Sequence, residues 1–181
     1  MAEKQTLAIG NAFMEENISA EELVKGLNGK LPKFSDGRIN YSGSKIAAVV
    51  TVYIFNEGKL LILKRSEKVG HYKSMWDTVS GYLDEVIDPV DKALREVNEE
   101  LGIGSSSIEK ASKGKEFSFS DEKEGIEWVI APILVVLSKT PTKIRLNFEN
   151  TEYKWIDPRS LPDYNTVPGL DIGLENILNS K

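Results

Sequence analysis

Residues 95–102 read REVNEELG, and Glu96, Glu99 and Glu100 are acids set three and four positions apart just before a glycine. Each helical residue turns the side chain by ~100°, so the three would cover about a quarter of a helix circumference. They lie beside an apolar stripe of Val90, Ala93, Leu94, Val97 and Leu101. The arrangement works against the helix. Glu96 and Glu100 form a like-charge i,i+4 pair that destabilises by roughly 0.2–0.5 kcal/mol. The negative end of the helix dipole adds about 0.3–1 kcal/mol for each acid in the last turn. Positions 103 and 104 hold no Lys or Arg, and Lys92 is one turn from Glu96 alone. A divalent cation reverses the sign of every one of these terms. Hard oxygen donors, with no His or Cys among them, point to Mg2+ or Mn2+ over zinc. Mg2+ takes a few carboxylates and completes its shell with water and substrate phosphates. The cluster therefore reads as half of a metal–phosphate site.

The elements that must position these acids are legible around them. Asp88 suits the N-cap, Pro89 the first helical turn and Gly102 the position past the end. Upstream, Ile46–Phe55 is a β-branched run long enough for a buried strand. Asn56-Glu57-Gly58 turns it into KLLILK, a hairpin, and after a polar loop WDTVSG predicts a short strand ending at Gly81. Downstream, EFSFS and WVIAPILVVL predict strands joined by the acidic turn SDEKEG, with Pro132 marking an edge or a bulge. KIRLNF and EYKWID predict further strand, and Leu170, Leu174, Ile177 and Leu178 a closing amphipathic helix. At the other end, Ser19 and Glu22 form a capping-box pattern that opens a short helix to Leu27. A turn-rich stretch follows it. Residues 1–44 thus read as an extension and 45–181 as the main domain. Helices separated by strands predict an α/β fold, a mixed sheet with helices packed on it.

Bulk properties exclude several function classes. At 40% hydrophobic and 28% charged, the chain has the composition of a folded globular protein. Its net charge of −5, with acids and bases interspersed, argues against a duplex nucleic-acid face. The absence of cysteine removes disulfides, thiolate zinc sites and cysteine nucleophiles, and fits a reducing cytoplasm. Glu3, Glu15 and Glu16 interrupt the amino terminus, which is not a secretory signal, and no apolar run is long enough for a bilayer.

The stretch Gly81–Ile103 resembles the Nudix box, whose pattern is G-x5-E-x7-R-E-U-x-E-E-x-G-U with U a bulky aliphatic. Gly81, Arg95, Glu96, Val97, Glu99, Glu100, Gly102 and Ile103 meet eight of its nine fixed positions. Ile87 stands where the first glutamate belongs, which leaves Arg95 in need of another acid; Asp91 is at i,i+4, and Asp84, Glu85 and Asp88 lie in the same loop. The resemblance implies a Nudix fold, an α/β/α sandwich around a mixed sheet. It also implies hydrolysis of a nucleoside diphosphate linked to another group, with Glu96, Glu99, Glu100 and the carbonyl of Ser80 holding metal. Glu99 is a candidate base toward water, and Arg95 would orient the carboxylates.

Further candidates lie outside the box. Glu149 is placed to add a loop acid, with Glu152 the alternative, and Asp121, Glu122 and Glu124 form an acidic turn. His71 is the only histidine. Arg65 could meet phosphate, and Tyr72 and Trp76 could stack on a base, although Trp76 precedes a strand and suits a core. The small-molecule substrates compatible with this reading include ADP-ribose or another nucleotide sugar, dinucleoside polyphosphates and damaged nucleoside triphosphates. The amino-terminal extension favours the ADP-ribose type, as a cover for a larger ligand or as a homodimer contact. Two other readings keep the fold. A nucleotide-binding module without turnover is favoured by Ile87, and an isopentenyl diphosphate isomerase-like enzyme is disfavoured by the missing cysteine.

Overall fold

The computed structural model describes residues 18–141 and 143–180. The acidic amino terminus, with Glu3, Glu15 and Glu16, lies outside the described residues. Helix α1 (Ala20–Leu27) has the expected capping box: Ser19 Oγ accepts from Glu22 N at 3.2 Å and Glu22 Oε2 accepts from Ser19 N at 3.0 Å. Its Ala20, Leu23, Val24 and Leu27 are buried in the main core, and Ala20 N donates to Glu116 Oε2 at 2.8 Å. The helix is docked on the domain rather than set apart from it.

Eight strands form one mixed sheet. Strand β1 (Ile46–Asn56) runs parallel to β7 (Ile126–Leu137) in continuous register from Ile46↔Glu127 to Phe55↔Val136. On its other edge β1 changes partners. Phe55 and Asn56 pair with β2 (Lys59–Arg65), whereas Val49–Val52 pair with β4 (Val79–Tyr82). β2 pairs along its length with β8 (Asn150–Ile156), and its Leu63 and Lys64 pair on the opposite edge with β3 (Trp76–Asp77). β3 and β4 therefore bridge a fork where β2 leaves β1. β5 (Ile108–Lys113) and β6 (Phe117–Asp121) pair in turn with the far edge of β7.

Two expectations are revised and one strand is added. Pro132 belongs to an interior strand, paired with Thr51 on one side. Its missing N–H falls at the gap between β5 and β6, where Gly114 N donates to Pro132 O at 2.8 Å, so no ladder bond is lost. The added strand, β5, carries no strand signature, because IEKASK has only two apolar residues and no clean alternation. KIRLNF (143–148) is not a strand; Arg145 N donates to Leu101 O at 3.1 Å, tying this segment to a helix end instead.

Helix α2 (Pro89–Leu101) starts at Asp88, whose carboxylate accepts from Val90 N, and stops at Gly102 in the left-handed region, φ 69°. It packs with α1 on the main core, against Val50, Val52, Leu61 and Leu63. Helix α3 (Leu170–Leu178) covers the opposite face, where Leu170, Leu174 and Ile177 pack on Tyr53, Leu60 and Ile62. The alternation of residues along β1 and β2 sends side chains to the two cores in turn. The result is an α/β/α sandwich around a mixed sheet.

Candidate active site

A cavity of about 540 Å³ opens at the fork. Glu96 and Glu99 enter its wall from α2, Ser80 and Gly81 from β4, and Glu149 from the turn before β8. Gly81 makes room for Glu96: a Cβ there would lie 2.6 Å from Glu96 Cδ and 2.7 Å from its Oε1. The register of β8 brings Glu149, since Asn150 stands opposite Arg65 at the end of β2. Ser66 holds the turn, its N donating to Glu149 O at 2.7 Å and its Oγ to Phe148 O at 2.8 Å. Glu152, three residues further on, is exposed and pairs with Lys154. Of the two loop acids, only Glu149 reaches the cavity.

Glu100 lies behind this wall, buried, with Asn150 Nδ2 donating to its Oε2 at 3.0 Å. Burial, and then the Glu149, Glu96 and Asp77 carboxylates, push the Glu100 carboxyl up to about 9. Burial and Glu96 also raise Glu149 above the ordinary glutamate value. Such mutual repulsion marks an excess of negative charge at one end of the cavity. Among the described residues no three such groups already stand in coordinating array. The donors are nevertheless all oxygens, and the chemistry of the set fits a hard divalent cation.

Several cations nearby are committed to partners. Arg65 lines the cavity, but its Nη1 pairs at 2.9 Å with Asp77, a buried acid at the fork whose carboxyl burial raises despite that partner. Arg95 bonds Glu85 and pairs with none of the three acids, so the orienting role expected of it is not what its contacts show. Ile87 packs half-buried against the main core. Lys92 bonds both Glu96, at 2.8 Å, and Asp84, at 3.1 Å. Arg145, far in sequence, lays its guanidinium over Gly102, where a Cβ would meet its Nε at 2.8 Å. It supplies the cation that positions 103 and 104 lack.

The other end of the cavity is aromatic. Val49 pairs with Tyr82 on one side and Ile130 on the other, and Ile130 pairs with Phe117; Trp128 pairs with Phe119. Paired residues share a sheet face, so these side chains form a continuous floor, and all line the cavity. Tyr41 stacks on Tyr82 with ring centroids 5.3 Å apart, and its hydroxyl donates to Leu83 O at 2.8 Å. Tyr72 lines the cavity with φ 53°, an uncommon backbone for a bulky residue. Its hydroxyl is held at both ends, donating to Asp121 at 2.7 Å and accepting from Trp128 Nε1 at 2.9 Å. His71 Nδ1 lies 2.6 Å from Glu124, so two acids of the SDEKEG turn clasp the loop beside the cavity. Trp76 does not line it. Its ring lies in the second core with Tyr164, under Lys154 Nζ at 4.8 Å. Tyr82, Trp128 and Phe119 escaped the sequence reading because their convergence depends on strand pairing.

With this geometry in view, the comparisons agree. A family model described as NUDIX domain matches residues 45–174. The chain belongs to the Nudix hydrolase family. Its fold is similar to that of the MutT protein from Methanosarcina mazei Go1, 23% identical with a TM-score of 0.59, covering 75% of this chain and 96% of that one. It is similar also to a C. elegans Ap4A hydrolase in a binary complex, 16% identical with a TM-score of 0.58, covering 73% and 95%. The NUDIX domain of Shewanella oneidensis NrtR, complexed with ADP ribose, is 13% identical with a TM-score of 0.60, covering 73% and 86%. No curated protein sequence matches. Among the described residues no helix is long and apolar enough to cross a membrane.

Proposed function

We propose that this chain hydrolyses the pyrophosphate bond of a nucleoside diphosphate linked to a second moiety, with Mg2+ or Mn2+ as cofactor and an ADP-ribose-type compound as the favoured substrate. The observation that carries the reading is the division of one cavity into an acidic end, with Glu96, Glu99 and Glu149, and an aromatic end, with Tyr82, Trp128 and Phe119. Its 540 Å³ is within the usual range for a small-molecule site. A divalent ion bound by Glu96, Glu99, Glu100 and the Ser80 carbonyl would neutralise phosphate oxygens and lower the pKa of attacking water. Glu149 and Glu99 stand on the wall as acceptors for the proton of that water. Tyr82 and Trp128 offer ring faces and edges to a base.

The segment before residue 45 supports a larger substrate, since Arg38 lines the cavity and Tyr41 backs Tyr82. Two fold relatives were solved as an Ap4A hydrolase and as a complex with ADP ribose. The test is a hydrolysis screen with Mg2+ and with Mn2+ over ADP-ribose, nucleotide sugars, dinucleoside polyphosphates and nucleoside triphosphates, with Glu100→Gln alongside. Turnover abolished in the variant supports the reading, and the products name the substrate. Turnover that persists without divalent metal sinks it. Tight binding without turnover on any compound would favour the nucleotide-binding module that Ile87 suggests.

A further inference from the structure

Glu96 sits at the end of an alternating chain of charges that begins outside the Nudix domain. Arg38 Nε pairs with Asp36 at 2.8 Å, and Arg38 Nη1 with Asp84 Oδ2 at 3.2 Å. The other Asp84 oxygen, Oδ1, lies 3.1 Å from Lys92 Nζ, and Lys92 Nζ lies 2.8 Å from Glu96 Oε1. Asp84 and Lys92 are buried, 5% and 3% exposed. A backbone bond fixes Arg38 beside Asp84: Ile39 N donates to Asp84 O at 2.6 Å.

Stability is a weak reason for such a chain. A buried ion pair gains little over apolar residues of the same volume, because desolvation offsets the attraction. Its specific effect here is geometric. Glu96 Oε1 is wedged between Lys92 Nζ and the bare Cα of Gly81, which sets the plane of the carboxylate on the cavity wall. No other side chain of the box does this. Arg95 is engaged by Glu85, and Ile87 offers no hydrogen bond.

We propose that Lys92, anchored through Asp84 to Arg38, is the positioning residue that orients the Glu96 carboxylate for a divalent cation, and that the segment before residue 45 thereby belongs to the active-site machinery. The inference rests on the metal reading above. Lys92 touches neither ion nor substrate. It holds one oxygen of Glu96 and leaves the other to the cavity, and Arg38 holds Asp84 so that Lys92 keeps both its partners.

The experiment is Mn2+ binding to the full chain in the absence of nucleotide, followed by the EPR signal of free Mn2+, for wild type, Lys92→Met, Lys92→Arg and Arg38→Met. Circular dichroism and thermal midpoints monitor folding. Lys92→Met is expected to bind Mn2+ about 10–100-fold more weakly, the usual cost of losing a group that orients a metal ligand. Lys92→Arg should recover part of that loss, and Arg38→Met should weaken binding to a smaller degree. Arg38 is half-exposed, so its variant stands alone as the test if Lys92→Met fails to fold. Wild-type Mn2+ affinity in folded Lys92→Met, or in Arg38→Met if it stands alone, overturns the inference and leaves the metal reading intact. A wild type that binds no Mn2+ overturns both.

Discussion

Gly81 and Glu96 are in contact across the gap between β4 and α2, and only the missing Cβ at 81 makes room for the carboxylate. The first and one of the middle positions of the Nudix box are thus a matched pair in space. Gly81→Ala is expected to keep the fold, since the residue does not need a left-handed backbone, and to displace Glu96. Turnover should fall by about 10–100-fold, the cost of misplacing a metal-binding group. Steady-state kinetics beside circular dichroism would check it; unchanged kcat/KM refutes the contact's role.

The buried Glu100 makes a signed prediction about pH. Its folded pKa is about 9 against 4.5 for an ordinary glutamate, so between those values the native state binds more protons than the unfolded chain. Stability of the metal-free protein therefore falls as pH rises through that window. Glu149, raised in the same direction, adds to the fall. Glu100→Gln should flatten the profile, and thermal midpoints in EDTA from pH 5 to pH 9, as a rough working range, measure it. A wild-type midpoint that rises over the window contradicts the assignment.

Mg2+ should reverse that trend, because an ion bound only by the folded state stabilises it by mass action. The rise in midpoint on adding Mg2+ is expected to grow with pH and to vanish in Glu100→Gln. Equal rises for both proteins would place the ion elsewhere.

Tyr82 is expected to bind rather than to react. Tyr82→Ala removes a stacking face worth about 0.5–1.5 kcal/mol, so KM for a nucleotide substrate should rise up to ~10-fold with kcat little changed. A large fall in kcat at constant KM would count against a base platform there.

On the far side of the sheet, Gly173 lies against the buried Tyr53 ring, whose hydroxyl donates to Leu170 O at 2.8 Å. A Cβ at 173 would come 2.9 Å from Tyr53 Cζ and overlap its hydroxyl. Alanine favours a helix by up to ~1 kcal/mol over glycine, but overpacking a core costs about 1–3 kcal/mol. Gly173→Ala should therefore lower stability in urea unfolding; a stabilised variant would show that α3 shifts freely.

What the sequence by itself determined lies within short reach along the chain. The stripe of α2, its Asp88 and Gly102 caps, the Ser19 capping box and the hairpin at Asn56–Gly58 follow from local periodicity and turn chemistry. The acid trio followed from its own electrostatic awkwardness on that helix. Only the tertiary structure decided which partners those groups would meet. Glu149 rather than Glu152 faces the cavity because Asn150 is in register with Arg65. Trp76 is core and Trp128 is cavity wall because β3 and β7 present them to different cores. Arg145 reaches the end of α2, and Arg38 reaches Asp84, across separations that no helical or strand period spans. These choices depend on long-range register, where shifting a strand by one residue turns every side chain to the other face.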